Sequence, residues 1–317
     1  MILDGASEPF DGARLTSLER ARTPTLDALA RDGELARVRT VPEGLPAGSE
    51  TAIPVLLGWA PAEPVDRASI EAAAHGIAVG PGARAWRVDV RAPDGTRAGA
   101  AATRAAAGAL AAGAPGHAVH PLAGHRLLLV GAAPAPRAAR AAHLRLWPEG
   151  AVLPCALGAD TVLVAARGAA GGIATLLGAS VVVPAAATGD IATDLRAKAG
   201  AAVAALGGGA AHVVVHLAGA DEAAHTHDAA AKVAFLERAD RELVAPLAAA
   251  AARAGAVLRI CPDHGCDPAT GAHDADPVPR LTWSGPAPDG PRAAHRLTER
   301  DAAALDVLDL TTPLVPA

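Results

Sequence analysis

Apolar positions recur along this chain in two rhythms, one of short strand-like runs and one of helical stripes, and their alternation predicts the architecture. Met1-Ile2-Leu3 reads as the stub of a buried strand, with Asp4-Gly5 at its end. That strand is short, or the chain starts downstream of a longer natural beginning. Thr23-Pro24 opens a helix as N-cap and first-turn proline, Leu26, Leu29 and Ala30 share one face, and Gly33 is its stop. A strand follows over residues 36–41, and the turn at 42–48 delivers Ser49 to the start of a helix. Between 66 and 145 the rhythm loosens, with Pro/Gly breaks at 80–83 and 113–124 and strands expected at 85–90 and 126–130. Regular alternation then returns: helix 166–177, strand 180–184, helix 191–206, strand 212–217, helix 228–254 and strand 257–261.

Strands alternating with helices of this length imply an α/β fold whose mostly parallel sheet is covered on both faces. The loosened stretch reads as an inserted, smaller α+β cap domain at 66–145, which divides the core into residues 1–65 and 146–317. In open sheets of this kind, ligands bind beyond the carboxyl ends of the strands. Asp4 follows the first strand, Asp221 and His225 follow the strand ending at Leu217, and Asp263-His264 follow the strand ending at Cys261. Groups far apart in sequence are thereby expected along one sheet edge.

Composition narrows the class without identifying a chemistry. A hydrophobic content of 51% over 317 residues is enough for a substantial core, which sets disorder aside. The net charge of −5, with no block of Lys or Arg, argues against nucleic acid or an anionic membrane as partner. Cys155, Cys261 and Cys266 form no paired framework and are too few for a zinc knuckle, which points to a reducing compartment. No signal peptide or membrane span is evident, so the cytoplasm is the expected location. Nothing in the sequence sets an oligomeric state.

The candidate chemistry lies in a few polar segments. Asp221 and His225 stand four residues apart, which places a carboxylate and an imidazole on one helical face within reach of one cation. Asp263-His264 end an apolar strand at a turn, and His273 precedes Asp274-Ala275-Asp276-Pro277. Ser49 at a helix start sits where backbone N–H groups and the dipole favour an anion, whether an alkoxide or a phosphate. Taken singly, each segment is equally an ordinary polar turn or cap. Cys266 reads as a small turn residue, Asp267 and Asp274 as loop acids, and His227 as a helix-start histidine with a possible acid/base role.

Together, in this order, the segments resemble the archaeal-type cofactor-independent phosphoglycerate mutases of the alkaline phosphatase superfamily. The resemblance is carried by Asp4-Gly5, the run from Thr40 through Pro42-Glu43-Gly44-Leu45-Pro46-Ala47-Gly48-Ser49 to Ala52, and Leu56-Leu57-Gly58. Later matches are Ala187-Thr188-Gly189 with Lys198, Val215-His216 leading to Asp221 and His225, Pro262-Asp263-His264, and His273 with Asp276-Pro277-Val278-Pro279. It covers roughly residues 1–60 and 145–290.

The resemblance implies an alkaline-phosphatase-like fold and two divalent metal ions, Mn or Zn. One is held by Asp221, His225 and His273, the other by Asp4, Asp263, His264 and Ser49. It also implies Ser49 as the nucleophile of a phosphoserine intermediate, Lys198 as a neutraliser of a phosphate oxygen, and Arg67, Arg87 and Arg126 as substrate-binding residues of the cap. Two departures stand out: Ala218 occupies a position where the family often has Glu, and residues 99–112, almost entirely Ala, Gly and Arg, replace a His-bearing segment. The leading expectation is a phosphoglycerate-mutase-like isomerase acting on a small phosphorylated metabolite. The alternatives are a phosphatase or phosphomutase for another phosphate or phosphonate, and a non-catalytic binding homologue.

Overall fold

The structure, a computed structural model, describes residues 1–286 and 295–309. The chain divides into two compact units, one formed by Met1–Ala62 and the chain from Cys155 onward, the other by Glu63–Pro154. Among the described residues the first unit is built on an eight-stranded sheet. Its order is Val307–Asp309, Glu34–Arg39, Val278–Trp283, Leu258–Pro262, Ile2–Leu3, His212–Leu217, Thr161–Val164, Ser180–Val182. Only Val278–Trp283 runs against the rest, pairing antiparallel with both neighbours. The other pairings are parallel, as alternating strands and helices require.

The two-residue strand Ile2–Leu3 lies near the middle of this sheet, with Ile2 in register with Cys261 on one side and His216 on the other. Both residues are buried, consistent with a strand covered on both faces. Helices Pro24–Asp32 and Leu195–Gly207 and the long segment from Ala229 to Ala254 share one core with Leu3, Val164, Val215, Leu217, Ile260 and Leu281 of the strands. Helices Ser49–Leu56 and Ala169–Leu177 pack on each other and bury Ile53, Leu56 and Ile173. Among the described residues no helix is long and apolar enough to cross a membrane.

Several boundaries move for identifiable reasons. The helix expected from 191 begins at Leu195, because the Asp194 carboxylate accepts from Ala197 N. The long helix is interrupted by a π turn, Asp240–Val244. There the buried Asp240 carboxylate accepts from Thr25 N (3.1 Å) and Leu26 N (2.8 Å). Thr23 occupies the N-cap position of helix Pro24–Asp32 without a side-chain hydrogen bond, and Asp240 supplies the missing acceptor from across the core. Gly33 ends that helix with extended backbone, where a Cβ would lie 2.6 Å from the Thr282 carbonyl oxygen.

The second unit is a four-stranded antiparallel sheet, ordered His117–Pro121, Arg126–Ala132, Ala83–Val90, Leu144–Leu146, with helices Arg67–His75 and Ala100–Gly113. Alternation along Arg126–Ala132 sends Leu127 and Leu129 into one cluster, with Trp86, Val88, Ala106 and Leu110, and Leu128 into another, with Ala68 and Ala72. The Ala-rich stretch that carried no readable pattern is thus a helix that buries Ala106, Ala107 and Leu110.

Candidate metal centre

Asp4, Asp221 and Asp263 follow the carboxyl ends of three neighbouring strands, and backbone bonds hold the segments level: Asp4 N donates to Leu217 O (2.9 Å) and Asp221 N to Asp4 O (3.1 Å). Between them the chain turns through Gly5, whose φ is +59°. A Cβ there would lie 2.4 Å from Asp221 Oδ1, so glycine is required by both conformation and space.

The side chains converge in two groups that could hold metal ions. Asp4, Asp263 and His264 form one, and Asp221, His225, His273 and Cys266 the other, with the ligand atoms of each group all within 4.8 Å of one another. In the first, His264 Nε2 lies 3.4 Å from Asp4 Oδ1 and 3.6 Å from Asp263 Oδ2. In the second, Asp221 faces His225 Nε2 at 3.3 Å and His273 Nε2 at 3.2 Å. Ser49, the first residue of helix Ser49–Leu56, donates its hydroxyl to Asp4 Oδ1 at 3.2 Å and so adjoins the first group.

Three observations fit cations. Asp263 Oδ1 accepts from Gly5 N (3.0 Å) and His264 N (2.9 Å), while among the described residues neither its buried Oδ2 nor Asp221 Oδ1 has a hydrogen bond, Asp221 Oδ1 meeting the His273 imidazole as an ion-pair contact at 3.2 Å. The imidazoles are oriented through the other nitrogen: His264 Nδ1 bonds Gly265 O (3.1 Å) and His273 Nδ1 bonds Ala47 O (3.3 Å), so each ring turns Nε2 toward the carboxylates. Finally, His225 Nε2 and His273 Nε2 stand 3.0 Å apart, a spacing that either a proton shared between the rings or a cation beside both accommodates.

The electrostatics agree. Among the described residues, the ion-pair partners of the three carboxylates are imidazoles. Burial, then the Asp4 charge, pushes the Asp263 carboxyl well above its usual range. Burial and Asp221 would raise Asp4 as well, but the His216 and His264 imidazoles outweigh them and hold it at about 2. Burial opposes a charge on His264, yet Asp263 and Asp4 raise it to about 10. Crowded carboxylates here draw in positive charge, and an imidazolium is what the protein alone can offer.

The remaining expected residues are placed as follows. Lys198 is fully buried, its Nζ donating to His216 O at 3.0 Å, and burial lowers its ammonium to about 8. In the smaller unit, the buried Arg87 binds Glu71 (2.9 Å) and Asp89 (3.0 Å), Arg126 reaches Glu71 at 3.3 Å, and Arg67 stacks 5.5 Å from the Trp147 ring centre. His227 is exposed in the turn after helix Gly219–His225, with φ +58°. Two residues of the centre received no role from the sequence. His216, whose Nε2 lies 3.1 Å from Asp4 Oδ2, is signalled only as a lone imidazole in an apolar strand. Cys266 follows the Asp263-His264 turn and carries no local signal.

Comparison with known proteins shows the family and the fold. The model of the Metalloenzyme superfamily matches residues 1–305, and the chain belongs to that family. Its fold is alkaline-phosphatase-like, a mostly parallel sheet with helices. The 2,3-bisphosphoglycerate-independent phosphoglycerate mutase of Methanothrix thermoacetophila is 27% identical over 83% of this chain and 84% of its own length. That of Methanopyrus kandleri is 39% identical, over 40% of this chain and 30% of its own length. The aligned stretch thus spans under a third of that relative. Among solved structures, the PH0037 protein of Pyrococcus horikoshii shares the fold with a TM-score of 0.76 at 24% identity, covering 98% of this chain and 93% of that one. The cofactor-independent phosphoglycerate mutase of Thermoplasma acidophilum does so with a TM-score of 0.59 at 20% identity, covering 98% and 95%.

Proposed function

We propose that this protein is a metal-dependent phosphomutase that moves a phosphoryl group by way of Ser49, with interconversion of 2- and 3-phosphoglycerate as its reaction. The observation that carries the reading is the Ser49 hydroxyl itself, at a helix start and 3.2 Å from Asp4, beside two ligand groups built at one sheet edge. The names of the relatives point to the same class. Asp221, His225 and His273 would hold one cation; Asp4, Asp263, His264 and Ser49 the other. Bound there, such ions supply positive charge that lowers the pKa of the serine hydroxyl and offsets charge on phosphoryl oxygens.

The protein's own residues do the rest. Asp4 orients the Ser49 hydroxyl, and the helix start favours the anion that gathers at Oγ. The Oγ–P bond forms as the substrate's P–O ester bond breaks; solvent takes the serine proton and supplies the proton that the departing oxygen gains. Return of the phosphoryl group from Ser49 to a neighbouring hydroxyl completes a mutase cycle; return to water would be hydrolysis. Lys198 holds the strand end that carries His216, and in this reading its ammonium also biases the site toward phosphate. Arg67, Arg87 and Arg126 are proposed to recognise the substrate's anionic groups, Arg87 chiefly by fixing Arg126 through the shared Glu71. A cytoplasmic location accompanies the reading.

One observation favours a second reading, a phosphatase or mutase for a different phosphate ester. Arg87 is committed to Glu71 and Asp89, which leaves fewer free guanidinium donors for a carboxylate. Metal analysis, followed by turnover of 3-phosphoglycerate and of a generic phosphate monoester by wild type and Ser49→Ala, separates the two. Mutase activity lost in Ser49→Ala supports the first reading and monoester hydrolysis alone the second. A protein that binds no metal and turns over neither would overturn both.

A further inference from the structure

Cys266 is the member of the second ligand group that the proposed function leaves without a role. Its position is forced by register. The strand Gly265–Cys266 pairs antiparallel with His273–Asp274, and Cys266 stands directly opposite His273. Directly opposed residues of an antiparallel pair project from the same face, so the thiol and the imidazole are presented together. The backbone of Cys266 is fixed at both ends, its N donating to Ser7 O at 2.9 Å and its O accepting from the buried Lys232 Nζ at 2.7 Å. The residue is fully buried, and its Sγ lies within 4.8 Å of ligand atoms from Asp221, His225 and His273.

We propose that the Cys266 sulfur is a fourth protein ligand of the cation held by Asp221, His225 and His273, so that the two positions of the centre take different metals. This inference rests on the metal-centre reading. One carboxylate, two imidazoles and one thiolate make a four-coordinate set of the kind that selects Zn(II), or its surrogates Co(II) and Cd(II), over Mn(II). The other group, Asp4, Asp263, His264 and the Ser49 hydroxyl, is oxygen-rich and contains no sulfur, which suits a harder ion such as Mn(II). On ligation the thiol gives its proton to solvent and binds as thiolate.

Cobalt loading tests this without reference to turnover. In the Co(II)-loaded protein a sulfur-to-cobalt charge-transfer band is expected in the near ultraviolet, and in Cys266→Ser, at unchanged cobalt stoichiometry, the band is expected to vanish. The same substitution is expected to lower the Zn(II)-over-Mn(II) preference of that position by about tenfold or more. Cobalt bound by wild type without the band, or a band that survives in Cys266→Ser, overturns the inference and leaves the metal centre standing. Failure of wild type to bind any divalent cation overturns both. If Cys266→Ser does not fold, the cadmium-113 resonance of the Cd-loaded wild-type protein decides alone: a sulfur-shifted signal supports ligation, and a signal typical of oxygen and nitrogen ligands overturns it.

Discussion

Both units of this molecule bury carboxylates, and they treat them in opposite ways. In the smaller unit, Glu71 meets Arg87 and Arg126, and Asp89 meets Arg87 and accepts from Trp147 Nε1 at 2.8 Å, so each acid is neutralised by neighbours that cannot leave. In the larger unit Asp4, Asp221 and Asp263 are crowded together with imidazoles as their ion-pair partners, and among the described residues two of their oxygens lack hydrogen bonds. Glu71 Oε2 also lacks a hydrogen bond among the described residues, so the difference lies in charge: the first arrangement carries its own guanidinium groups, whereas the second calls for positive charge brought from solution. Buried acid alone therefore does not mark a site; unmet demand for positive charge does.

The sharpest way to break this comparison is through chemistry. Ser49→Ala is expected to lower phosphoryl transfer by roughly 10⁴-fold or more, in line with loss of a serine nucleophile, while the circular dichroism spectrum stays unchanged. Activity that persists would remove Ser49 from the reaction. Next in size is Glu71→Gln, which removes one of the two carboxylates that bind the buried Arg87 guanidinium and leaves Asp89. A loss of about 1.5–3 kcal/mol is expected for the smaller unit, read as faster hydrogen exchange along strands Ala83–Val90 and Arg126–Ala132. Asp263→Asn should act with the opposite sign. It relieves repulsion with Asp4 yet keeps an Oδ1 acceptor for Gly5 N and His264 N, so the metal-free protein is expected to gain about 1 kcal/mol while metal affinity falls. Equal destabilisation by the two amide substitutions would dissolve the contrast between the units.

The smallest effect concerns Lys198. Its ammonium titrates near 8 in the folded chain and near its ordinary 10.5 when unfolded, so between those values the unfolded state binds more protons and stability rises with pH. Lys198→Met should abolish that rise. Denaturant midpoints at pH 7.5 and 10 for the two proteins, expected to differ in slope by an amount on the order of 1 kcal/mol, provide the check.

How much of this was readable in the chain follows from how each signal is encoded. Asp4, Asp221 and Asp263 were found because each directly follows a run of apolar residues, and parallel topology then gathers the run ends. The π turn at Asp240 was not found, since it exists to cap helix Pro24–Asp32, a partner more than 200 residues away. Helix Ala100–Gly113 escaped because Ala and Gly leave a weak apolar stripe. Cys266 and His216 were passed over for a related reason: their neighbours at the centre are set by strand register, which no local pattern expresses.

The central position of strand Ile2–Leu3 has a bearing on how the protein matures. Gly5 N reaches an Asp263 oxygen 258 residues further along. During synthesis strand Ile2–Leu3 must wait for its partner Leu258–Pro262, which is made much later. Neither ligand group is assembled before then, since Asp4 needs Asp263-His264 beside it to complete the first.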